Sequence, residues 1–191
     1  MKSIAMAFDL FRDLTPEYRA QDETIMGRCL DLLIMRNEQW LHRRPDTPLL
    51  YPHEIYARLG MPVPPDAPVS GVYYQLEPED EEEFASIPRV IRMGSGDCDD
   101  LCGWRVAELR VRFGDPGARI MWVGEEYDND GDGVADYIQY HVMVLRGDGV
   151  IEDPSLFLGM SETPESIRAE MEEDVPEQYP ADTQWDWRYA A

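Results

Sequence analysis

The chain has almost no lysine. Of its 17 basic residues, 16 are arginine and one, Lys2, is lysine, against 39 aspartates and glutamates, for a net charge of −22. So little positive charge excludes a surface built to neutralise nucleic-acid phosphates. It equally excludes one built to lie on an anionic membrane. Cysteine is also scarce: the three residues Cys29, Cys98 and Cys102 are an odd number, which argues against a disulfide framework and for free thiols in a reducing setting. Long apolar runs are missing. Charge interrupts the N-terminal stretch at Asp9, so the expectation is no signal peptide and no membrane span. What the chain does have is a 43% hydrophobic and 10% aromatic composition, enough for a folded core. A length of 191 residues suits one domain with appendages. The acidity fits saline surroundings, where screening tolerates a high surface charge, and the arginine bias fits a GC-rich genome equally well.

Local patterns divide the chain into three parts: a helical and proline-rich extension over 1–68, a core over 69–160, and a C-terminal helix with an aromatic tail over 161–191. In the first part, Thr15-Pro16-Glu17 signals a helix start. Met26, Cys29, Leu30, Leu33, Trp40 and Leu41 then recur at helical spacing up to Arg43. Cys29 lies on that stripe and is expected to be a small buried hydrophobe. Seven prolines between Pro45 and Pro68 leave room only for a short helix over 52–59. In the core, a strand is expected over 69–76, an irregular approach over 86–96, a helix over 99–113, and strands over 118–123, 137–145 and 150–153. The run Glu79 to Glu83 is expected to be a solvated face. A further helix is expected over 163–173, followed by Trp185, Trp187 and Tyr189 in the tail. Helices followed by an antiparallel run of strands make an α+β plan.

Gly94-Ser95-Gly96-Asp97-Cys98-Asp99-Asp100 places a thiol at the N-terminal tip of a helix that heads into the core. The positive end of the helix dipole favours the thiolate, the reactive form. The unpaired N–H groups there can hold an oxyanion. Asp97, Asp99 and Asp100 oppose the thiolate, so a cationic partner is required, and histidine is the usual one. His42 sits at a helix end beside two arginines, and His53 lies in the proline-rich region. His141 is mid-strand, in Tyr140-His141-Val142-Met143. If Gly147-Asp148-Gly149 is a three-residue hairpin loop, Met143 pairs with Asp153. Asp153 then lies diagonally from His141 on the same face. A two-residue loop would turn Asp153 away and leave Glu152 as the acceptor.

The order Cys98, His141, Asp153, with Gly96-Asp97-Cys98-Asp99-Asp100, His141-Val142 and Asp153-Pro154-Ser155 as the motifs, resembles the transglutaminase-like branch of the papain-like cysteine hydrolases. The stretch from Pro88 to Leu101 is similar in particular to members found among tailed-phage structural genes. The resemblance covers about residues 70–160. It implies a papain-like α+β core with the Cys on a helix N-terminus and His and Asp on an antiparallel sheet. Cys98 would be the nucleophile, His141 the general base and acid, and Asp153 the orienting carboxylate. The implied activity is hydrolysis or acyl transfer at amide bonds of a protein or peptide. Some family members are inactive scaffolds, so a non-catalytic virion tail or capsid-assembly protein, with neighbouring virion subunits as partners, is the alternative. The implied setting is the virion or the host cytoplasm during assembly. The chain departs from the family at Gly103-Trp104, where small aliphatics are usual. Cys102, one turn after Cys98, is expected to be a buried core thiol; the alternative is a resolving thiol.

Asp128, Asp130, Asp132 and Asp136 stand at positions 1, 3, 5 and 9 of a loop with Gly133 at position 6, and Val134 is placed to offer its carbonyl. This is the start of an EF-hand-like calcium loop, although position 12 holds Gln139 in place of Glu. The alternative is a plain acidic hairpin end. Carboxylates packed this closely repel unless a cation joins them. Calcium is therefore expected to raise the melting temperature and a chelator to lower it; an unchanged midpoint would show that the loop binds no structural ion.

Overall fold

The computed structural model describes residues 16–77, 83–127 and 137–160. The calcium-loop residues Asp128, Asp130, Asp132, Val134 and Asp136, most of the Glu79 to Glu83 run, the expected helix over 163–173 and the aromatic tail all lie outside the described residues.

The described elements run α1 (Pro16–Arg43), α2 (His53–Arg58), β1 (Tyr73–Tyr74), α3 (Ile87–Met93), β2 (Ser95–Gly96), α4 (Cys98–Arg112), β3 (Arg119–Tyr127), β4 (Tyr137–Leu145), β5 (Ile151–Glu152) and α5 (Pro154–Phe157). Helices and small sheets together make a mixed α+β fold. No described helix is long and apolar enough to cross a membrane.

Helix α4 is the axis of the molecule. Every residue from Asp99 to Leu109 is buried, because α4 is covered on several sides. Its Cys102, Val106 and Leu109 pack with Ile34 of α1 and with Val142 and Val144 of β4. Its Leu101, Trp104 and Ala107 pack with Leu41, Leu49, Leu50, Tyr51 and Tyr56 from the first sixty residues. The N-terminal segment and the core therefore share one interior. Cys29 is half-buried rather than buried, packed beside Leu30, Leu33 and Phe84.

β3, β4 and β5 form an antiparallel sheet in that order. Val144 pairs with Glu152 and Leu145 with Ile151. The turn closes through Arg146 N–H to the Val150 carbonyl at 2.9 Å. This is the register of a three-residue loop. The strand expected over 69–76 is reduced to two residues, Tyr73–Tyr74, plus an isolated bridge from Val69 to Leu49. Gly71 at φ 68 breaks the extended backbone between them. β1 pairs with β2 in parallel. The irregular approach expected over 86–96 contains a helix, α3, with Pro88 in its first turn and Gly94 at φ 79 as its left-handed cap. That cap turns the chain toward Cys98.

Gly103 marks a close approach of α1 and α4. A Cβ there would lie 2.6 Å from Leu33 Cδ2 and 3.0 Å from its Cγ. Leu33 is itself buried and has little room to yield. For Gly103→Ala, an overpacking cost of about 1–3 kcal/mol is expected to exceed the roughly 0.5–1 kcal/mol that alanine contributes in a helix interior. Thermal melting should show a lower Tm, and an increase would mean that the helices can separate freely.

Candidate functional site

Three short elements aim Cys98. β2 delivers the chain beside β1, and Gly96 allows it to run flush against the helix that follows. A Cβ on Gly96 would meet Asp100 Cβ at 3.1 Å and Asp100 Oδ2 at 3.2 Å. Asp97 then caps α4, its side chain accepting from the Asp100 N–H at 3.4 Å. Cys98 follows as the first helical residue, half-buried and packed against the cluster of Ile34, Cys102 and Val142.

His141 and Asp153 are brought together. His141 Nε2 lies 2.7 Å from Asp153 Oδ2 across the β4–β5 hairpin, both groups mostly shielded from water. A carboxylate only accepts, so the proton of this bond sits on Nε2. Proton exchange with a thiol would then run through Nδ1. Asp153 is fixed from the other side as well: its Oδ1 accepts from Ser155 N–H at 3.0 Å and Leu156 N–H at 3.3 Å, capping α5. Glu152, the other acceptor weighed from the sequence, points to the opposite face of the sheet and binds Arg105 instead.

The hairpin lies against the Cys98 helix. Cys102, one turn after Cys98, is fully buried. Its Sγ–H donates to the carbonyl of Val142, the residue after His141, at 3.2 Å. Burial, and then the charge of Asp153, push the Cys102 thiol well above its ordinary value. Burial raises Cys29 too. Both stay protonated thiols near neutrality, consistent with a core role for Cys102.

The acidic neighbours of Cys98 form a compact buried trio: Asp97, Asp99 and Asp100 each bring one carboxylate oxygen within 4.8 Å of the others. Two of them are occupied with backbone. Asp97 caps the helix, and Asp100 Oδ1 accepts the Ala85 N–H. Asp99 bonds to Asp97, and its Oδ2 has no hydrogen-bond partner among the described residues. Burial first, and then the Asp97 charge, hold the Asp99 carboxyl well above its ordinary value of 3.8.

Sequence reasoning missed the buried ionic network behind the site. Arg105, fully buried, is bound by Glu152 at 2.6 and 3.0 Å and by Glu108 at 2.9 Å. It stacks over Tyr51, Tyr56 and Phe113. Burial alone would lower its pKa, but its partners together, Glu152 first and then Tyr51 and Glu108, outweigh this and raise it. The available signal was position: Arg105 falls seven residues after Cys98, on the same helix face as Cys98 and Cys102.

The Asp99 shift has a pH consequence. A carboxyl with a raised folded pKa contributes stability that is full below 3.8 and is lost as pH rises through the folded value. Asp99→Asn keeps a donor to Asp97 without the titration. Its Tm is expected to exceed that of the wild type at pH 8 and to converge with it toward pH 4, read by melts at both values. A pH-independent difference would contradict the assignment.

Compared with protein-family models, curated proteins and solved structures, the chain matches none.

Proposed function

We propose that the protein is a transglutaminase-like thiol enzyme that hydrolyses or transfers acyl groups at peptide amide bonds. The observation that supports this reading most is the 2.7 Å contact between His141 and Asp153, on a hairpin packed against the helix that begins at Cys98. An orienting carboxylate fixes the imidazole tautomer and stabilises the imidazolium. The thiol sits where a helix N-terminus favours the thiolate. In the reaction, Cys98 Sγ attacks the amide carbonyl as His141 takes the thiol proton. Backbone N–H groups at the start of α4 hold the oxyanion. The tetrahedral species then collapses, His141 gives its proton to the leaving amine, and a thioester remains. Water or a second amine, deprotonated by His141, attacks the thioester and releases Cys98.

The papain-like core rests on the resemblance of the Cys98, His141 and Asp153 motifs and the phage-associated setting on that of the Pro88 to Leu101 stretch; both belong to the same proposal. The carboxylates of Asp97 and Asp100 beside Cys98 favour a second reading, a non-catalytic virion scaffold, because they oppose the thiolate.

Alkylation separates the two. At pH 6 an ordinary thiol is less than about 1% thiolate. Iodoacetamide is expected to label Cys98 rapidly at that pH in the wild type and about 10²-fold more slowly in His141→Ala, with mass spectrometry locating the adduct. Slow labelling in both proteins would leave only the scaffold.

A further inference from the structure

We propose that the buried Arg105–Glu152 pair is a positioning clamp that sets the register of the β4–β5 hairpin on α4, and so the height of His141 and Asp153 relative to Cys98. The proposal rests on the thiol-enzyme reading above.

The hairpin needs such a device. β5 is two residues long, and its ladder with β4 consists of the Val144–Glu152 and Leu145–Ile151 pairs, extended at the turn by the Arg146–Val150 bond. A slip of one residue would send Asp153 to the other face of the sheet, away from His141. The apolar contacts of Val142 and Val144 on α4 are non-directional and permit sliding. A bidentate guanidinium–carboxylate pair does not, because both hydrogen bonds require one geometry. Arg105 meets Glu152 in this way, through Nε at 2.6 Å and Nη2 at 3.0 Å.

The fasteners between helix and hairpin fall beside the residues that matter. Cys102 binds the carbonyl of Val142, next to His141. Arg105 binds Glu152, next to Asp153. Beyond the helix, Asp115 accepts the Gly147 N–H at the hairpin turn at 2.9 Å. Arg105 itself cannot drift. Its Nη1 is held by Glu108, its Nη2 also reaches Met61 Sδ at 2.8 Å, and its Cζ lies over the Tyr51 ring, 4.9 Å from the centroid. Glu152 is held in turn by the Tyr51 hydroxyl at 3.4 Å and by Arg146 at 3.5 Å. Stability alone does not account for the pair, because well-packed apolar residues replace buried ion pairs with little loss. Fixing one arrangement among several is the better-attested role of such groups.

The test uses the full chain with Arg105→Met combined with Glu152→Leu, which removes both charges together. Circular dichroism and melting report the fold. Proton NMR reports the downfield imidazole N–H of His141, assigned by its loss in Asp153→Asn. Iodoacetamide reports Cys98 at pH 6. The double variant is expected to fold, to lose the downfield His141 signal, and to label Cys98 about 10- to 100-fold more slowly than the wild type. A folded double variant that keeps both the signal and the rate would overturn the clamp. Should the double variant not fold, Glu152→Gln decides. Its neutral amide oxygen still accepts one hydrogen bond from the Arg105 guanidinium, and a weakened His141 signal with slower labelling is expected; wild-type values for both would overturn the proposal. Loss of the His141 signal in the double variant, alongside a wild-type rate that His141→Ala does not change, would retain the clamp and reject the thiol-enzyme reading.

Discussion

A guanidinium without solvent access needs its charge answered on the spot. Arg105 sits midway along α4, buried from Asp99 to Leu109, and the desolvation of its charge costs several kcal/mol before any partner is counted. The partners come from three parts of the chain: Glu108 and the C-cap residue Phe113 from the same helix, Glu152 from β5, and the rings of Tyr51 and Tyr56 from the proline-rich segment. Each must be in place for the charge to be tolerated. The proline-rich segment, the axial helix and the last hairpin are thereby obliged to assemble in one arrangement. That arrangement determines where a helix tip and a strand pair meet, and hence what chemistry is available there.

Around this centre the local devices are ordinary and mutually consistent. Gly94 turns the chain after α3, Gly96 lets β2 lie flush on the next helix, and Asp97 caps that helix so that Cys98 opens it. On the other side, Asp153 caps α5 with one oxygen and holds His141 with the other. One carboxylate thus orients both a backbone turn and an imidazole. Of the buried acids next to the thiol, one caps the helix, one binds the Ala85 N–H, and burial pushes the carboxyl of the third well above its ordinary value.

The features legible from sequence are those set by near neighbours. The stripe from Met26 to Leu41, the helix opened by Cys98 and the strand from Tyr137 follow from periodicity and caps. The Gly147-Asp148-Gly149 turn is legible, but the sequence leaves two loop lengths open; the Leu145–Ile151 pairing selects the three-residue loop and with it the meeting of His141 and Asp153. The features not legible depend on distant partners. α3 is short and carries Pro88, which masks its Val90 and Gly94 signals. The β1–β2 pair consists of two residues on each side and exists only because α3 returns the chain there. Arg105 and Glu108 carry no signal of burial in their residue types, because Tyr51, Tyr56 and Glu152, which surround them, come from distant parts of the chain. Gly103 looked like a departure from a motif, and its reason lies seventy residues earlier, in Leu33.

Thiolate absorbance titrated against pH tests the central claim most directly. Burial holds Cys29 and Cys102 above their ordinary values, so a thiolate formed in mildly acidic solution belongs to Cys98. The account predicts one thiolate per chain already present below about pH 7 in the wild type and absent there when Asp153 is changed to Asn. Ultraviolet absorbance that rises only above about pH 8.5, the range of an ordinary thiol, in both proteins would contradict it.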